Sequence, residues 1–243
     1  MRIVLINPNS TASMTDQVRE SARRNAFPGT EIVALNPADT PASIEGHADE
    51  ALSVPALLQA IRAAEAGGGD AFVIACFDDP GLAAAREVAR GPVLGICQAA
   101  VQVATTIAAR FSIVTTLPRS VPIIEDLVHH YGAAAKCRSV RAIDMPVLAL
   151  EAEPDLAEAR LVAEIEAARD RDGAEAVVLG CAGMSELCER LSERTGMPVI
   201  DGVSAAVKLA EALIGGGYRT SKVGAYNYPT VKDRAACPME DCA

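Results

Sequence analysis

Glu175-Ala-Val-Val-Leu-Gly-Cys181-Ala-Gly-Met184 is an apolar run that closes on a cysteine and small residues. A run this short, rich in Val and Leu, reads as a parallel strand buried on both faces. Ser185-Glu-Leu-Cys-Glu-Arg-Leu-Ser-Glu-Arg194 follows with helical spacing, so Cys181 is expected at a strand's C-terminal end, facing a helix N-terminus. Open α/β sheets bind ligands at that edge.

The same construction occurs earlier. Ala71-Phe-Val-Ile-Ala-Cys76 is an apolar strand ending in cysteine, followed by Phe-Asp-Asp-Pro-Gly and a helical segment, 82–90. Each helix leads to a second short strand, Pro92-Val-Leu-Gly-Ile96 or Pro198-Val-Ile-Asp-Gly202, and then to Ala99-Ala-Val or Ala205-Ala-Val in a further helix. Cys181 lies 105 positions after Cys76, and Ala205 lies 106 after Ala99. One offset held across strand, cysteine, helix, strand and helix indicates an internal duplication. A duplicated unit can set two thiols face to face across a pseudo-twofold axis, as a two-base proton transfer requires. Contacts of about 3–3.5 Å on each face of a substrate carbon put such sulfurs about 7 Å apart.

The other segments fit an α/β chain. Strands are expected at 2–7, 31–35, 111–116, 137–143 and, last, 222–226; helices at 13–26, 50–66, 98–110, 121–131, 154–171 and 204–214. Asn36 to Asp49 is a polar loop long enough for a lid or rim. Gly67-Gly-Gly69 precedes a strand instead of following one, so it matches neither a dinucleotide nor a P-loop fingerprint. Strands alternating with helices imply parallel sheets. The expected fold is α/β, with two pseudo-symmetric lobes, each a parallel sheet flanked by helices. The lobes are 1–97 with 210–243, and 98–209, with the site in the cleft between them. The polar tail from Asn227 is expected to be partly disordered.

Composition narrows the function. A formal charge of −10 argues against a nucleic-acid partner. No run of 18 apolar residues suggests a membrane span, and the start lacks a signal-peptide pattern, so a cytoplasmic location is expected. Seven cysteines, an odd number, read as reduced thiols rather than a disulfide framework. The three histidines show no zinc spacing, Cys237 and Cys242 alone are too few for a metal site, and no Gly-x-Ser-x-Gly elbow appears. Neither a metal nor a cofactor is expected; the partner is a small-molecule substrate.

Cys76 and Cys181 are the catalytic candidates. Amide dipoles at a helix start favour thiolate, so lowered thiol pKa values are expected. Asp78 and Asp79 lie close to Cys76 and no acid precedes Glu186 after Cys181, so Cys181 is expected to ionise more readily. Substrate-binding candidates are Asn7, Ser10 and Thr11 after the first strand, their counterparts Thr115 and Thr116, Asp78, and Ala182 and Gly183. Asp79, before Pro80, reads as the N-cap of the next helix. Cys97, Cys137 and Cys188 read as packed hydrophobes.

Four motifs together, Ile6-Asn-Pro-Asn-Ser-Thr11, Cys76-Phe-Asp-Asp-Pro-Gly-Leu82, Gly180-Cys-Ala-Gly-Met184 and Val199-Ile-Asp-Gly202, resemble the hydantoin and allantoin racemases of the aspartate/glutamate/hydantoin racemase superfamily. The resemblance spans nearly the whole chain. It implies cofactor-independent racemisation, with Cys76 and Cys181 as the acid/base pair, and a homo-oligomer. It departs at Gln98, where a glutamate is expected. Amino-acid racemases of the superfamily commonly carry Thr-His after the second cysteine; Ala182-Gly183 here suit a neutral cyclic imide better than a zwitterion. Related isomerisation or decarboxylation on the same scaffold, and a non-catalytic two-lobed binding protein, are the other readings.

Overall fold

The computed structural model describes residues 1–230; the remainder of the tail, with Cys237 and Cys242, lies outside the described residues, as does most of the expectation of disorder made for it. The first lobe runs β1 (Arg2–Ile6), α1 (Ala12–Asn25), β2 (Glu31–Leu35), α2 (His47–Ala66), β3 (Ala71–Ile74), α3 (Leu82–Val88), β4 (Val93–Gly95) and α4 (Ile96–Ile107). The second runs β5 (Phe111–Thr115), α5 (Val121–His130), β6 (Cys137–Ala142), α6 (Ala149–Ala152), α7 (Pro154–Asp170), β7 (Ala176–Leu179), α8 (Cys188–Thr195), β8 (Val199–Ile200) and α9 (Gly202–Gly215).

Each lobe holds a four-stranded sheet, in the orders β2-β1-β3-β4 and β6-β5-β7-β8. Every pairing is parallel. The two orders are the same order, which is the duplication read from the cysteine spacing. The inner strands β1, β3, β5 and β7 are buried on both faces because both faces are covered, while the edge strand β6 carries Arg138, Ser139 and Arg141. In β1, Ile3 and Leu5 face one core while Val4 and Ile6 face another. The first of these cores is shared: it gathers Ala71 and Val73 of one sheet, Phe111, Ile113 and Val178 of the other, and the buried faces of α4 and α9. The outer cores are built from single lobes, with α2 and α3 over the first sheet and α7 and α8 over the second, and Tyr131 of the second lobe packs against the first of them. The lobe divisions expected at 97/98 and 209/210 fall within α4 and α9, which pack against each other.

The segment expected as a last strand, 222–226, is not one. It is a loop with a 3₁₀ turn at Gly224–Tyr226, lying over α3. Val223 is 87% exposed and Ala225 is exposed too, so no apolar face holds the segment to a sheet. Instead the Lys222 ammonium donates to the carbonyls of Arg86, Glu87 and Tyr226. The helix expected over 185–194 is also shifted: a 3₁₀ turn occupies Ala182–Leu187 and α8 begins at Cys188. No described helix is long and apolar enough to cross a membrane.

Candidate active site

Both β3 and β7 end two residues before a cysteine, so Cys76 and Cys181 emerge at the C-terminal edges of their sheets. They line one cleft, together with Asn9 and Met14 after β1, Thr115 at the end of β5, Thr116 and Ser120 after it, Asp78, and Ala182. Ile44 from the 36–46 loop and Val147 from the loop before α6 close its rim with apolar side chains. The two rims are joined: the Val147 amide donates to the Glu45 carboxylate at 3.0 Å, and Ser13 Oγ donates to Glu151 at 3.2 Å.

Glycine before Cys181 has a steric cause. A Cβ on Gly180 would lie 2.8 Å from Thr115 Cβ, because β5 and β7 converge there. Thr115 Oγ uses that approach, donating to the Gly180 carbonyl at 3.0 Å. Thr115 therefore lines the cleft while its hydroxyl bonds within the sheet.

Of the other expected binding residues, Thr116, Asp78 and Ala182 line the cleft. Gly183 lies beside it: a Cβ there would stand 3.7 Å from Cys181 Sγ, and its backbone N–H favours the thiolate. Asn7, Ser10 and Thr11 are absent from the lining. Asn7 Nδ2 donates to Asn9 Oδ1 at 2.8 Å and Thr15 Oγ1 at 3.0 Å. The Ser10 amide and the Thr11 hydroxyl donate to the carbonyls of Pro41 and Ala42, tying the first loop to the rim. Asn9 reaches the cleft in their place, and Ser120 does so from the second lobe. Sequence spacing contained one usable signal for Ser120, since it closes the loop after β5 as Thr11 closes the loop after β1.

Asp79 does not cap the helix that follows it. Gly81, with φ +65°, holds the N-cap position of α3. Asp79 itself adopts φ +45°, unusual for a residue with a side chain. Its carboxylate accepts from the Cys97 amide at 3.1 Å, the Gln98 amide at 2.9 Å and the Tyr131 hydroxyl at 2.7 Å. It thus caps α4. Gln98, where glutamate was expected, accepts a hydrogen bond from Arg86 and stays outside the cleft lining.

Burial dominates the electrostatics. Contrary to the expected lowering, both thiols are pushed up. Cys76 stands well above the usual thiol range, through desolvation first and then the nearby Asp78 carboxylate. Cys181 rises to about 11, also through desolvation, with the Gly183 N–H pulling the other way. The amide effect at Cys181 is present and is outweighed. Cys181 also acts on Cys76 electrostatically, so the two sulfurs share one environment. Asp78 is itself raised to about 7, by burial and then by Glu50 and Asp79. The cleft lining includes no Lys, Arg or His. No group of three or more potential metal ligands occurs among the described residues.

Two parallel sheets that each present a thiol to one cleft define a class before any sequence is compared: a two-lobed α/β protein with a pair of cysteines in the cleft. The Asp/Glu/hydantoin racemase family model matches residues 3–210. A hydantoin racemase of Rhizobium meliloti is 68% identical over 243 residues, covering 100% of both chains. One from Pseudomonas sp. (strain NS671) is 46% identical over 96% of this chain and 94% of its own. Among solved structures, allantoin racemase from Klebsiella pneumoniae superposes with a TM-score of 0.94 at 49% identity, covering 96% of this chain and 95% of that one. The chain belongs to the Asp/Glu/hydantoin racemase family, and it is an isomerase of the racemase class.

Proposed function

We propose that this protein racemises 5-monosubstituted hydantoins, allantoin among them, by proton transfer between two cysteines. One thiolate removes the proton from C5. The electron pair left on carbon delocalises into the ring carbonyl as an enolate. The opposite thiol then delivers its proton to the other face of C5, and the enolate pair re-forms the C–H bond. Base and acid have exchanged states, so the opposite enantiomer runs the same steps in reverse. Thr116 and Ser120 supply hydroxyl donors for the developing oxyanion. Cys181, the less strongly raised thiol, is the resting base, and Cys76 the resting acid.

The observation that carries the reading is the pairing of two thiols at equivalent strand ends in a cleft without a cationic side chain. An α-amino acid would bring a carboxylate into a cleft that offers no cationic side chain to pair with it, and desolvating it there is costly. A neutral imide ring makes no such demand, and its C5 proton is acidified by the adjacent carbonyl. The names of the curated and structural relatives support the same substrate class.

Chiral chromatography tests the reading. Single enantiomers of a 5-alkylhydantoin, a 5-arylalkylhydantoin and allantoin are incubated with the protein, beside L-aspartate and L-glutamate. At least one of the hydantoins, allantoin included, is expected to racemise and the amino acids to stay resolved. Racemised glutamate beside inert hydantoins would overturn the assignment.

A further inference from the structure

The helices that follow the two cysteine units begin alike and are capped differently. In the second lobe Asp201 precedes α9 with φ −94° and ψ 130°, and its carboxylate accepts from the Val203 and Ser204 amides at 3.0 and 2.8 Å. In the first lobe Gly95 precedes α4 with φ −92° and ψ 145°. That backbone suits any residue, so glycine is not there for conformational freedom. It is there for space: a Cβ on Gly95 would overlap the carboxyl group of Asp79. The carboxylate that a cap residue would normally supply comes instead from the loop carrying Cys76.

A cap alone gives no reason for this exchange, since an aspartate at position 95 would serve α4 without a strained residue at 79. The exchange does give the Cys76 loop an anchor. The Asp79 amide donates to the Cys76 carbonyl at 3.1 Å, so the anchored residue closes a turn on the cysteine itself. The same carboxylate takes the hydroxyl of Tyr131, which follows α5 of the opposite lobe. The loop is therefore fixed both to α4 and to the lobe that carries Cys181.

We propose that Asp79 is a positioning residue: its carboxylate sets the place of the Cys76 thiol opposite Cys181 by tethering the loop to the first turn of α4 and to Tyr131. The proposal rests on the two-thiol reading above for its effect on turnover.

The test moves the carboxylate without removing it. Asp79→Gly keeps the left-handed backbone at ease and removes both cap and tether. Adding Gly95→Asp restores a carboxylate before α4, in the arrangement that Asp201 has before α9, and leaves the loop untethered. The single variant is expected to lose melting temperature and kcat. The double variant is expected to recover the melting temperature while kcat stays lower by about 100-fold, the order expected for a small misplacement of a reacting group, with KM little changed. Recovery of kcat together with stability would show a merely structural cap and overturn the proposal. Should the double variant not fold, Asp79→Asn and Tyr131→Phe serve: lowered kcat at similar KM supports the tether, and wild-type kcat in both sinks it. Iodoacetamide labelling of Cys76, resolved by peptide mass spectrometry, reads the thiol's placement independently of substrate. A faster rate at Cys76 with Cys181 unchanged is expected in the untethered double variant, and an unchanged Cys76 rate counts against the tether. If the wild-type protein racemises no hydantoin, the functional reading fails, and the labelling result still decides the tether.

Discussion

The two lobes share strand order, helix order and the placement of a thiol, and they differ in what surrounds that thiol. Cys76 sits beside Asp78 and on a loop bound through three hydrogen bonds that the Asp79 carboxylate accepts from α4 and Tyr131. Cys181 is followed by small residues, takes the Gly183 N–H, and its loop is bound to the cap of α9 through the Ser185 hydroxyl on Asp201. A duplicated backbone therefore does not give duplicated chemistry. Backbone symmetry brings two sulfurs to one cleft, and unequal neighbours add to burial in setting how readily each gives up its proton.

The largest effect should come from breaking the symmetry outright. Cys76→Ser and Cys181→Ser remove an acid/base group each, and racemisation should fall by about 100- to 10,000-fold in either variant, measured from both enantiomers. Serine is nearly isosteric and far less acidic, so circular dichroism should remain that of the wild type. Near-wild-type rates in either variant would leave the two lobes with no catalytic equivalence to compare.

Asp78→Asn should ease the ionisation of both thiols. The Asp78 carboxylate adds to burial in holding both of them up. A thiol with a raised pKa supplies thiolate only as pH rises, so the wild-type rate should increase with pH. Without the carboxylate both thiols ionise at lower pH, and the ascending limb should move down. The shift is read from kcat/KM against pH, and from the alkylation rate of each cysteine. An unmoved limb would mean that burial alone sets the thiols.

The smallest expected effect concerns the conventional cap. Asp201→Ala should cost about 1 kcal/mol of stability, the usual value of an N-cap carboxylate, read from denaturant unfolding. Its effect on kcat should be weaker than that of untethering Asp79, because the Cys181 loop reaches Asp201 through one hydroxyl only. A larger loss of kcat from Asp201→Ala would reverse the comparison of the two loops.

What could be read from sequence follows the physics of each part. Buried parallel strands are apolar runs, so β3 and β7 were visible, and the 105-position spacing of Cys76 and Cys181 brought out the duplication. The four motifs were enough to place the chain near its family. Loop side chains were less legible because two residues of similar type can point opposite ways. Asn7 turns into its own loop while Asn9, two positions on, reaches the cleft. Asp79 has the pattern of a local cap, and only the fold shows that its partners lie 18 and 19 positions further along the chain. The raised thiol pKa values are not legible in sequence, because local amides can be read there and desolvation by burial in the fold cannot. Segment 222–226 looked like a strand by position alone, without a face to bury.

The two-thiol mechanism requires the two sulfurs to address opposite faces of one carbon. Exchange of the C5 proton in deuterium oxide, followed by proton NMR on each pure enantiomer of a hydantoin that the wild type racemises, tests it most directly. Wild-type protein should wash the proton out of both enantiomers. Cys76→Ser, left with Cys181 as base, should exchange one enantiomer far faster than the other, and Cys181→Ser should show the opposite preference. The same enantiomer preferred by both variants, or equal exchange of both enantiomers by either, would contradict the mechanism.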